Sequence, residues 1–128
     1  MMRVAVVLNS KTEKIVPIVE GDIIRLYDTE TEETEDVTNP SIHLSEGKRG
    51  AVVKWAESRG IKVLAAPPSM LCELSYGSAK SKGFHYCRVS SDTGFAEFQH
   101  RLKNKNIELV TDLPSFEIEP SAAVLPNE

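Results

Sequence analysis

An α/β fold, a mixed sheet covered by helices, is what this sequence predicts, and three observations predict it. The stretch RVAVVLN (Arg3 to Asn9) is apolar at both alternating positions, as a strand covered on both faces must be. Two later apolar runs, IKVLAA and FHYCRV, alternate with segments of helical period, and such alternation builds parallel crossovers. Between the first strand and the first helical segment lie two strand-like runs joined by an acidic turn, the pattern of a hairpin.

In chain order, Arg3 to Asn9 is the central strand. SKTEKIVPIVEG follows as an irregular stretch, since Pro17 opposes an interior strand. Asp22 to Asp28 (DIIRLYD) is a second strand, and Glu33 to Val37 a short third one that Asn39-Pro40 ends. Ser45 is the expected N-cap of the first helix, with Ala51, Val52, Trp55 and Ala56 on one stripe and Gly60 at the left-handed C-terminal position. Ile61 to Ala66 is the fourth strand, stopped by Pro67-Pro68. Ser69 is the expected cap of a second helix with Met70, Leu71 and Leu74 inward, and Gly83 closes it. Phe84 to Val89 is the fifth strand. Asp92 or Thr93 caps a third helix with Phe95, Phe98 and Leu102 on one face, and IELV adds a last short strand. Three strands followed by helix–strand–helix–strand–helix give a mixed five-stranded sheet of order 3-2-1-4-5, the ribonuclease H-like arrangement. One domain is expected over 1–113, with a proline-containing tail over 114–128 lying loosely on the surface.

The chain has 128 residues, enough to bury roughly two thirds of its unfolded surface without a disulfide or structural metal. Its net charge of -4 argues against a nucleic-acid-binding face, which concentrates Lys and Arg. Apolar runs such as VAVVL are too short to span a bilayer, and the N-terminal stretch lacks the apolar region of a signal peptide. The expectation is a cytoplasmic protein whose two cysteines are reduced.

The ribonuclease arrangement does not bring its chemistry with it. Two-metal phosphoryl transfer needs a cage of carboxylates on the central strand and its neighbours. Here neither the first strand nor IKVLAA carries an acid, and the first helix offers only Glu46 and Glu57 near its ends. The acids gather instead in DTETEETED, Asp28 to Asp36, which reads as a solvated hairpin tip lacking the ligand spacing and turn glycine of a calcium loop. Phosphate-cradling loops, nucleophile elbows and zinc-protease helices are also missing, so no enzyme is expected.

Sulfur and histidine remain. Cys72, expected in the first turn of the second helix, has two open readings. It is a thiolate favoured by the helix amides, with Met70 beside it, or a small apolar residue packed inward with Leu71 and Leu74. His85 and Cys87 share one face of their strand, but two ligands do not make a four-ligand site and core packing is the simpler account. His43 and His100 read as surface residues, and Trp55 as the anchor of the first helix on the sheet.

From LYDTETEETEDVTNP onward the chain resembles the dinitrogenase iron–molybdenum cofactor biosynthesis proteins, the NifX-like domains. The likeness lies in an aromatic-aspartate strand end, an acidic turn, a short strand and an Asn-Pro stop. Gly47 and Gly50 then match a glycine-containing helix start, and HYCRV and IELV match later segments. The resemblance implies a protein that binds, holds or passes on iron–molybdenum cofactor or an iron–sulfur cluster without catalysing a reaction. The expected site is the sheet edge formed by the 10–21 loop, the region around His43 and the turn Pro67 to Cys72. Cofactor-binding residues would be His43, Ser69, Met70 and Cys72, with Cys72 the metal ligand.

Departures accompany the matches. The family's His-Phe-Gly motif would fall on Pro17, Ile18 and Val19, its helix-starting His-Gly on Glu46-Gly47, and its paired glycines on Pro67-Pro68. A protein-interaction module of the same fold that binds no metal is therefore the alternative. The expected partners are a metallocluster or another protein, with neither nucleic acid nor membrane, and the strand edge after IELV could pair two copies.

Overall fold

The computed structural model describes residues 2–68, 70–107 and 109–120. Strand β1 (Arg3–Asn9) lies at the centre of the sheet, and Val4 through Leu8 are fully buried. It pairs antiparallel with β3 (Ile23–Asp28) on one side and parallel with β5 (Val63–Ala66) on the other. A strand hydrogen-bonded on both edges and covered on both faces has no room for a polar side chain, hence its unbroken apolar run.

Outward from β1 the sheet runs β4 (Thr34–Thr38), β3, β1, β5, β7 (His85–Arg88) and β8 (Leu109–Val110), with the two-residue β2 (Lys14–Ile15) set against the end of β1. Among the described residues the sheet thus has seven strands rather than the five expected. Among the additions, β2 sits in the stretch read as irregular. Pro17 lies just beyond it and removes no ladder donor. A separate pair is formed by β6 (Leu71–Cys72) and β9 (Ile118–Glu119), which run parallel.

Over Ser115–Glu119 this second pair corrects the reading of 114–128 as a loose tail. A 3-10 turn at Ser115–Glu117 leads into β9, and Glu117 is buried. Residues 121–128 lie outside the described residues.

Helix α1 (Lys48–Ser58) and α2 (Glu73–Ser81) cover one face of the sheet. There Val52, Val53, Ala56 and Ala79 join Ala5, Val7, Leu64 and Tyr86 in one core. Helix α3 (Phe95–Lys103) covers the other face, setting Phe95 and Phe98 against Val4, Val6, Ala65 and Cys87. Trp55 packs half-buried against the first core, with the Arg59 guanidinium 5.1 Å from its ring centre.

All three helices begin later than their capping residues suggest. The caps are Gly47, Cys72 and Gly94 instead of Ser45, Ser69 and Asp92 or Thr93. The later start of α2 turns Leu74 outward, 57% exposed, and sends Ser75 and Ala79 inward. Gly60 does hold the left-handed geometry expected of it, at φ 72°.

The acidic hairpin tip is held by its own backbone. Asp28 Oδ1 accepts from the amides of Glu30 at 2.8 Å and Thr31 at 3.1 Å, a turn in which the carboxylate replaces a main-chain acceptor. Behind β3, Gly21 lies so close to β1 that a Cβ there would come within 2.3 Å of Val7 Cγ1. Buried Asn39 fastens the 17–21 turn by donating to the carbonyls of Ile18 and Gly21. Among the described residues no helix is long and apolar enough to cross a membrane.

Candidate functional site: a cavity between two helix starts

The topology brings two helix N-termini to one edge. Strand β5 leads through β6 into α2, so α2 begins beyond the C-terminal end of β5. Helix α1 leads into the start of β5 and runs back along it, so its own start lies at the same edge. In open α/β sheets this edge, outside the carboxyl ends of parallel strands, is where crevices form. Here a cavity of about 560 Å³ opens between the two helices. Ser45 to Gly50, at the start of α1, form one wall. Cys72, Leu74 and Ser75, at the start of α2, form the facing one, and Val19 and Pro120 close the sides.

The chemistry of the lining is mixed. No side chain caps α1, whose N-cap is Gly47 in the left-handed region at φ 73°. The partial positive charge of a helix start is therefore presented there by backbone amides, the arrangement that favours anions. Lys48 and Arg49 add two cations to the wall against one carboxylate, Glu46. Val19, Leu74 and Pro120 add apolar surface.

Cys72 is half-buried at the N-cap of α2. Its amide donates to Ser75 Oγ at 2.9 Å, and its sulfur lies 3.1 Å from the same oxygen. Across the β6–β9 pair it faces Glu119.

Of the four residues the sequence singles out, three are described, and of these the structure brings only Cys72 to this cavity. His43 is exposed on the turn 40–43, two residues before the lining begins at Ser45. Met70 is 1% exposed, so its thioether serves the core instead of a ligand. Ser69 lies outside the described residues. Cys87 is fully buried in the core, and burial pushes its thiol up to about 12. His85 is half-buried on β7, and His100 sits exposed on α3 with its Nε2 3.1 Å from Asn104 Nδ2. Among the described residues no group of three or more His, Cys, Asp or Glu is placed to hold a metal ion.

Val19 belongs to the 10–21 loop that the sequence reading placed at the site; the lining residues it missed are Lys48, Arg49, Leu74, Ser75 and Pro120. The signal for Lys48 and Arg49 was available, two cations adjoining a glycine helix start. Pro120 carries no local signal, because β9 is carried to the site by a pairing distant in sequence.

No family model and no curated protein matches this sequence. Solved structures do match its fold. The apo form of the orange protein from Desulfovibrio gigas superposes with a TM-score of 0.71 at 16% identity, over 86% of this chain and 93% of that one. The solution structure of a protein from Thermotoga, given as a candidate NifB protein of the DUF35 family, superposes with a TM-score of 0.65. Its identity is 23%, over 89% of this chain and 97% of that one. The chain shares their fold.

Proposed function

We propose that this chain is a non-catalytic carrier that binds an anionic, preassembled metallocluster, of the iron–molybdenum or iron–sulfur kind, in the cavity between α1 and α2. The sheet then is a ribonuclease H-like one used for holding instead of cleaving. The observation that carries this reading is the meeting of two helix starts, Lys48, Arg49 and Cys72 on a single cavity.

The donor set discriminates between ligands. A bare metal ion needs three or four protein ligands, and the described residues assemble no such group. A cluster brings its own sulfide or oxo ligands and carries net negative charge. It would be held by amides and cations at the start of α1, with Cys72 as the soft contact. Such a site suits a group that must be handed on, since few bonds to metal need to break. The two structural neighbours agree in kind, one solved in an apo form and the other named for NifB, though at their identities they speak to fold alone.

A second reading, a protein-interaction module without metal, is favoured by exposed apolar side chains, Leu74 on the cavity wall and Phe116 on the 3-10 turn. Leu74 is 57% exposed and Phe116 84%. Anaerobic purification, followed by incubation with iron, sulfide and molybdate, separates the two. A carrier acquires a stoichiometric chromophore and metal content that Cys72→Ser diminishes. A protein that stays colourless and metal-free is not a carrier of these clusters.

A further inference from the structure

The cavity has one wall that differs in kind from the others. Pro120 belongs to a short C-terminal segment that reaches the site only through β9, and β9 is held to β6 by two residue pairs, Leu71 with Ile118 and Cys72 with Glu119. Apolar contact holds this segment at one point, where half-buried Ile118 packs against the first core, while Phe116 at its turn is 84% exposed. Its firmest tie is electrostatic. Glu117 is 6% exposed, and both its carboxylate oxygens accept from Arg88 at the end of β7, one from Nε at 2.9 Å and the other from Nη2.

We propose that Ser115–Pro120 is a strap over one side of the α1–α2 cavity and that the Arg88–Glu117 pair is its latch. The proposal rests on the reading of this cavity as the ligand site and names how that site opens. A carboxylate this buried tolerates its position only while the guanidinium is present. When the pair breaks, Glu117 gains hydration by leaving, and β9 is then held only by a two-residue ladder and the packing of one half-buried side chain, Ile118. Segments with few buried apolar contacts open at free energies well below global unfolding. Lifting β9 uncovers Cys72, its cross-strand neighbour, and withdraws Pro120 from the lining. A bound cluster is shielded while the strap is down and can leave when it is up.

The test reads strap opening without any cofactor, so it stays distinct from a failure of the carrier reading. The full chain is pulse-labelled with N-ethylmaleimide at neutral pH as wild type and as Glu117→Gln. Labelling of Cys72 is expected to rise about tenfold in the variant, the factor for losing one charge-assisted bond, while Cys87 stays protected. Equal Cys72 rates in two folded proteins overturn the proposal.

Should Glu117→Gln expose Cys87 as well, amide hydrogen exchange of the wild type decides. Exchange in Ile118–Glu119 at least about ten times faster than in the core of β1 supports a strap that opens locally. Exchange in step with β1 overturns it.

Discussion

Cys72 and Ser75 form a reciprocal knot at the start of α2. The Cys72 amide donates to Ser75 Oγ at 2.9 Å, that hydroxyl lies 3.2 Å from the Cys72 carbonyl oxygen, and the cysteine sulfur is 3.1 Å from it. One buried hydroxyl thereby orients both the backbone and the thiol of the cavity's cysteine.

Ser75→Ala is expected to destabilise the fold by about 1–2 kcal/mol, the range for a lost cap that strands a buried amide. Urea unfolding at neutral pH measures it. A loss under about 0.5 kcal/mol would mean that the hydroxyl is dispensable to the helix start.

Asn39 is the second structural keystone of the site. It is 1% exposed, donates to the Ile18 and Gly21 carbonyls, and accepts from the amide and hydroxyl of Ser41 at 2.8 Å each. Asn39→Asp removes both donors and sets a carboxylate against two carbonyls. The expected cost is about 3 kcal/mol or more in a denaturant titration, with loosening of the 17–21 turn that supplies Val19. A near-neutral result would contradict this role.

Arg25 makes stability depend on acid. Its side chain, 12% exposed, bonds Glu13 at 2.6 Å and Asp36 at 2.7 Å and lies 4.8 Å from the Phe95 ring centre. Hydrogen bonds from Arg25 hold both carboxyls below their ordinary values of 4.5 and 3.8. Their contribution is therefore fully present above those values and is lost as pH falls through the lower, folded ones. Arg25→Met should be less stable than wild type at neutral pH, by a gap that narrows as pH drops below about 4. Thermal melts across that range measure the gap, and a constant or widening one would contradict the assignment.

Much of the architecture was legible because it is written in local periodicity. The apolar run from Val4 to Leu8 reads as a doubly covered strand and is one, and Gly60 reads as a left-handed C-terminal position and is one. Of the cavity lining, Cys72 and the 10–21 loop that supplies Val19 were the parts named from the sequence. Ser69 has the better capping chemistry, yet α2 waits until Glu73, because Met70 is drawn into the core and Leu71–Cys72 are drawn into pairing with β9. That pairing joins segments far apart in sequence, and no local pattern announces it. For the same reason Pro120 and the buried Glu117 read as parts of a loose tail. Leu74 was misplaced by a register error, since moving the helix start rotates every later side chain around the axis.

The most direct test of the central claim locates the ligand on the protein. Nitrogen-15-labelled full chain is titrated with tetrathiomolybdate, a compact anionic probe for a sulfide-rich cluster, and amide shifts are followed by NMR. The account predicts saturable shifts concentrated at Lys48–Gly50 and Cys72–Ser75, weakening as salt screens the charges. Shifts that are absent there, or that gather on another face, would contradict it.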